Sequence, residues 1–163
     1  MTVVVSDTSP LHYLILINAA ELLPRLYSEV FIPTAVAAEL SRPNTPQLVR
    51  NWIATPPDWL QIRTPHVTDH TFDLHEGEAQ AILLAKELGV LSFLIDERKG
   101  FYVAESVGLE PIGLLGVLEL CAAQHWIDFD EYIGRLRATT FRFHERLIAE
   151  ARARLSGTSA EES

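Results

Sequence analysis

The sequence predicts an α/β domain of three layers, α/β/α, around a central, mainly parallel sheet. Two observations predict it. Short apolar runs, Val3-Val4-Val5 first among them, alternate with stretches of helical periodicity. The runs ending at Ser6, Ile32 and Ile95 each lead into a helix pattern, as in βαβ units. With 163 residues, no internal repeat and no interior linker, the chain reads as a single domain over 1–155. Residues 156–163 read as a disordered tail.

The first strand is Val3-Val4-Val5-Ser6, a β-branched run suited to a buried position. Asp7 ends it. Thr8 or Ser9 is expected to cap a helix whose first position is Pro10 and whose apolar face carries Leu11, Leu14, Ile15 and Ile17. Asn18 is expected to cap a second helix carrying Ala19, Leu22, Leu23 and Leu26. Val30-Phe31-Ile32 reads as the next strand, and Pro33 opens a helix over Thr34 to Leu40. The Ser41-Arg42-Pro43-Asn44 breaker follows.

Thr45 and Pro46 start a helix with Leu48, Val49, Trp52 and Ile53, which Pro56-Pro57 ends. Trp59 to Ile62 reads as an edge strand and 64–75 as a loop. A helix over Glu76 to Leu88 closes at Gly89, a residue free to turn left-handed. Leu91 to Ile95 is the strongest central-strand pattern and ends at Asp96. Residues 98–107 read as a helix stopped by Gly108, Pro111-Ile112 as a short strand, and Leu114 to Gln124 as a helix. Asp128 caps a helix through Leu136, and Phe143 to Leu155 forms the last.

Composition narrows the class. Apolar residues at 48% with 21% charged describe an ordinary globular domain. The N-terminus lacks a signal-peptide pattern, and no apolar run is long enough to span a bilayer. No membrane association is expected. The single cysteine, Cys121, excludes an intrachain disulfide, which fits a cytoplasmic protein. It lies in an apolar stretch and reads as a small core residue. The net charge of −9 argues against binding nucleic acid over the whole surface. That charge is uneven. Residues 134–154 hold six Arg against Glu145 and Glu150, a balance of +4, which leaves −13 on the remainder. The acids of that remainder either form ordinary solvated surface or hold cations.

Four carboxylates stand out. Asp7 and Asp96 each end a predicted buried strand, and neighbouring strands lie roughly 4.8 Å apart. Glu39 lies on the helix after the second strand, and Glu78 in the first turn of the helix before Asp96. Glu76 and Glu97 neighbour them. Singly, each has a plainer role: Glu76 and Glu78 suit the positive end of a helix dipole, and Asp7 and Asp96 suit helix caps. Jointly, they point to one rim. Packed carboxylates repel, so they take up protons or hold a cation. Mg²⁺ or Mn²⁺ prefers such oxygen donors and supports phosphodiester hydrolysis. Thr8 and Ser9 lie beside Asp7 as hydroxyl donors to a metal-bound water or a phosphate oxygen. His66-x-x-x-His70 falls in predicted loop and reads as solvent-exposed. No Gly-rich phosphate loop and no Gly-x-Ser-x-Gly elbow is present.

With these residues the chain resembles the PIN-domain family, and within it a small prokaryotic subgroup of unknown function related to the toxin nucleases of toxin–antitoxin pairs. The resemblance is carried by Val5 to Leu11, Ile32-Pro33 through Glu39-Leu40, Gly77 to Ile82, Leu94 to Lys99 and Gly113 to Leu118. It implies an Mg²⁺- or Mn²⁺-dependent endoribonuclease acting on single-stranded RNA, related to toxins that pair with a cognate antitoxin. A homodimer is expected separately, because a small acidic rim gains a groove when two copies meet. Asp7, Glu39, Glu78 and Asp96 would be the enzyme's catalytic acids. Asp7, Glu78 and Asp96, supported by Glu97, would hold metal; Thr8, Ser9, Arg98 and Lys99 would meet substrate. Two departures are visible: Glu97 stands where a second Asp often follows, and Leu114 where Thr is common. The stretch Leu136 to Phe143 also matches the subgroup, and its Arg and Phe residues suit either a protein partner or RNA. The competing reading is a non-catalytic PIN-like interaction module. A phosphoacceptor domain ranks last, because Ser6-Asp7 supplies one acid where such sites pair two.

Overall fold

The computed structural model describes the backbone of residues 2–162 and the side chains of residues 2–157. Five strands form one all-parallel sheet: β1 (Thr2–Ser6), β2 (Tyr27–Pro33), β3 (Leu60–Arg63), β4 (Ser92–Leu94) and β5 (Glu110–Ile112). Their order is β3-β2-β1-β4-β5. The helices are α1 (Thr8–Leu16), α2 (Leu23–Leu26), α3 (Thr34–Leu40), α4 (Gln47–Ala54), α5 (Glu76–Leu88), α6 (Arg98–Ser106), α7 (Leu114–Ala123), α8 (Phe129–Arg137) and α9 (Glu145–Glu162). The chain divides into two compact units, Met1–Gly113 and Leu114–Ser163.

The sheet and α1–α6 make the first unit. Both faces of the sheet are buried. Val5, Phe31, Phe93 and Ile95 pack against Ala81, Ile82, Leu84 and Ala85 of α5 and Ala104 of α6. The alternate residues Val4, Val30, Ile32 and Leu94 are fully buried too. Continuous burial of this kind is the mark of a parallel sheet covered on both sides. Phe72 and Leu74, from the irregular segment 64–75, add to the α5 side of the core.

The strand order contains a reversal. From β1 the chain steps outward to β2 and β3, then crosses to β4 on the other side of β1. Val5 pairs with Phe93 and Ser6 with Leu94, so the carboxyl ends of β1 and β4 lie level. Crevices that bind ligands open at such a switch point.

One local reading is corrected here. Asn18 does not cap a helix. It takes φ 58° and ends α1, with its N–H on the Ile15 carbonyl and the Ala19 N–H on the Leu14 carbonyl. These are the two bonds of a Schellman turn, which favours Gly or Asn at the left-handed position. Gly89 and Gly108 close α5 and α6 in the same way. After Asn18 the chain forms only a 3-10 turn, Ala20–Leu22, and the one-turn α2 with Pro24 in its first turn. At the other end of the chain, Ser156 and Gly157 continue α9. No proline interrupts the pattern, and one Gly in a helix costs only about 1 kcal/mol. The side chains of the remaining tail residues lie outside the described ones.

In the second unit, ion pairs join the three helices. Arg152 bonds Asp130, Arg154 chelates Glu119 and Arg137 chelates Glu145. Arg135 pairs with Glu131 and Arg146 with Glu150 along their own helices. The excess of Arg in the sequence of this stretch is therefore largely spent on neighbouring acids. Arg137 also lies over the Phe143 ring, which packs edge-on against Phe141.

Candidate functional site

Asp7 stands where β1 gives way to α1. Its N–H continues the ladder to the Leu94 carbonyl at 2.9 Å, so the backbone is fixed on β4. It occupies the N-cap position of α1 in extended conformation, yet its side chain makes no capping bond. Only 4% of the residue is exposed, and Oδ1 is buried without a hydrogen-bond partner. Burial pushes its pKa up to about 8, with the charges of Glu78, Glu39 and Asp96 adding to the rise and a backbone bond from Thr8 opposing it. The expectation that Thr8 or Ser9 caps the helix is not met: α1 already begins at Thr8. The Thr8 hydroxyl donates instead to Glu39 Oε2, a charged acceptor stronger than a backbone carbonyl.

Glu39 arrives from α3 and is half-buried. Its Oε1 accepts the Gly77 N–H at 3.2 Å. That donor belongs to the first turn of α5, where no intrahelical acceptor exists. Glu78 follows in the same turn. It is 7% exposed, and its Oε2 is buried without a partner. Its pKa rises to about 7, first through burial, then through Glu97; His75 opposes the shift and Glu39 adds to it.

Asp96 follows β4 and is half-buried. It is not the cap of the next helix. Glu97 takes that role, accepting the Gly100 N–H at 2.7 Å, and is otherwise exposed. Arg98 and Lys99 are exposed in the first turn of α6. Arg98 lies over the Tyr102 ring at 5.9 Å, and Lys99 is paired with Asp73. Ser9 is half-buried one residue beyond Thr8. Thus Asp7, Glu39, Glu78, Asp96 and Glu97 interact electrostatically at one rim, with Thr8 bonded into it. Arg98 and Lys99 start the helix beside it.

Three glycines, none of them expected to carry chemistry, shape this rim. A Cβ on Gly77 would lie 2.7 Å from Glu39 Cδ and 2.8 Å from Oε2. One on Gly100 would lie 2.5 Å from Glu78 Oε2, and one on Gly113 2.9 Å from Asp96 Oδ1. Gly77 and Gly100 sit within helices, where glycine is disfavoured. That misplacement is the sequence signal of a packing requirement. His66 and His70 bond separate acids, Glu87 and Glu76, and so form no shared pair.

The donor set is all oxygen, and two buried carboxyl oxygens lack partners, which suits a hard divalent cation. Among the described residues, however, no three His, Cys, Asp or Glu side chains stand close enough to hold an ion directly.

No helix among the described residues is long and apolar enough to cross a membrane. No curated protein sequence matches the chain. A family model described as a PIN domain matches residues 3–157. PIN domains are generally nucleases, hydrolases that bind nucleic acid and typically use divalent metals. A match over almost the entire chain, on a five-stranded parallel sheet with acids at its switch point, shows that this chain belongs to the PIN-domain family, in a branch of unknown function.

Proposed function

We propose that the protein is an Mg²⁺- or Mn²⁺-dependent endoribonuclease that cleaves single-stranded RNA, acting in the cytoplasm as the toxin of a toxin–antitoxin pair. The observation that carries this reading is the pair of buried, unpartnered carboxyl oxygens on Asp7 and Glu78 at the switch point of the sheet. Burying an acid without a partner disfavours its charged form, so the pair is kept for a ligand that compensates the charge.

Asp7, Glu78 and Asp96 would hold the ion, in part through water, with Glu97 at the edge. Once bound, the ion would supply an activated water and stabilise charge on the phosphodiester. Asp7 and Glu78 must surrender their protons to bind it. Ser9, Arg98 and Lys99 would meet RNA phosphates, Lys99 once released from Asp73. A homodimer would build a groove from two such rims.

RNA cleavage measured with and without Mn²⁺, for the wild type, Asp7→Asn and Asp96→Asn, tests the reading. Metal-dependent cleavage abolished by both substitutions is expected; equal cleavage by all three proteins refutes it. Growth arrest on expression, relieved by the product of the adjacent reading frame, tests the toxin role. A concentration-independent monomer mass by light scattering would remove the dimer.

A second reading, a non-catalytic interaction module, is favoured by the use of Glu97 as a helix cap. Calorimetry decides between them: no heat on titrating millimolar Mn²⁺ selects the module.

A further inference from the structure

We propose that Glu39 is a positioning residue, a clamp that joins the start of α1 to the start of α5 without itself binding an ion. The inference rests on reading the rim as a metal site. Glu39 differs from its neighbours in how its oxygens are used. Oε2 accepts the hydroxyl of Thr8, the residue after Asp7. Oε1 accepts the N–H of Gly77, the residue before Glu78. Asp7 and Glu78 each retain a buried oxygen with no partner. One carboxylate, reaching in from α3, is thus bonded next to both acids that remain available.

The clamp also accounts for Gly77. The Glu39 carboxylate lies against the α5 backbone where a Cβ would stand 2.7 Å from its Cδ. Any larger residue at 77 displaces it. Glutamine could replace Glu39 in this role: its oxygen accepts the Gly77 N–H, while its amide donates to Thr8 Oγ1. Alanine keeps neither bond. A direct ligand behaves otherwise, because the neutral amide is a poor donor to a hard cation.

The test uses the full chain with Glu39→Gln, Glu39→Ala, Gly77→Ala and the double variant Gly77→Ala/Glu39→Ala. Manganese chloride is titrated by calorimetry, and melting is followed without metal. Glu39→Ala is expected to lose at least tenfold more Mn²⁺ affinity than Glu39→Gln, with Gly77→Ala matching Glu39→Ala. Equal losses for Gln and Ala at equal melting temperature overturn the clamp and make Glu39 a ligand. If the wild type binds no Mn²⁺, the metal reading fails and the clamp is judged on melting. Both Ala variants should then melt lower than wild type, and the double variant no lower than Glu39→Ala. Additive losses, or none, overturn it.

Discussion

Replacing Asp7 by Asn should make the metal-free protein more stable, and increasingly so as pH rises. The carboxyl group ionises near 3.8 in an unfolded chain but near 8 in the fold. Between these values the folded protein holds a proton that the unfolded chain has lost. Folding stability therefore falls as pH rises through this window. Below about pH 4 both states are protonated and Asp7 contributes nothing. Each pH unit inside the window costs about 1.4 kcal/mol. At pH 7 the loss is about 4 kcal/mol, an order-of-magnitude figure for a coupled cluster. Asparagine has nearly the same shape and no charge to desolvate, so it removes most of this loss. For a chain of this size, 4 kcal/mol corresponds to about 10 °C in melting temperature.

The assay is thermal melting by circular dichroism in chelator, at pH 5, 6, 7 and 8, for wild type and Asp7→Asn. The two curves should differ by about 4 °C at pH 5 and by about 10 °C at pH 7. Parallel curves across that range would refute the argument, because they would mean that Asp7 ionises as freely in the fold as in water. A variant less stable than wild type at pH 8 would show that the carboxylate has a partner that compensates its charge.

Mn²⁺ binding at pH 7 should release protons from Asp7 and Glu78, whose pKa values are raised to about 8 and about 7. Calorimetry in two buffers of different ionisation enthalpy measures the number, and identical heats would contradict it. Gly100→Ala should destabilise the fold by about 1–3 kcal/mol in urea, since its Cβ would meet Ile95 and Glu78 Oε2. Phe93→Ala, at a fully buried position in the middle of the sheet, should cost about 3–5 kcal/mol by the same measurement. Arg152→Gln and Arg154→Gln should leave the salt dependence of RNA binding unaltered, because both side chains are bonded to Asp130 and Glu119. As exposed ion pairs they should change stability by less than about 1 kcal/mol each.

What the sequence determined by itself is what depends on neighbours along the chain. The periodicity of 34–40 and 76–88 marked α3 and α5 to the residue, and the apolar runs marked the strands. Because an acid directly after a buried parallel strand lies at the sheet's carboxyl end wherever that strand sits, Asp7 and Asp96 were legible as rim residues. Local chemistry misled where a residue serves two conformations equally well. Asn18 suits an N-cap and a left-handed C-terminal turn alike, and the bonds it found on α1 decided between them.

Only the tertiary structure decided which carboxyl groups are dry and which are bonded. Thr8 meets Glu39 across 31 residues, and Glu39 meets Gly77 across 38. No periodicity records such distances. Glu97 and Glu78 look alike in sequence, yet one caps a helix in solvent and the other is buried with a pKa near 7. The Arg-rich C-terminal stretch looks basic until its guanidinium groups are seen against Asp130, Glu119 and Glu145. Exclusion of water and proximity of charge depend on several segments meeting at one point. That meeting is set by the packing of the sheet and its helices, which no single segment contains.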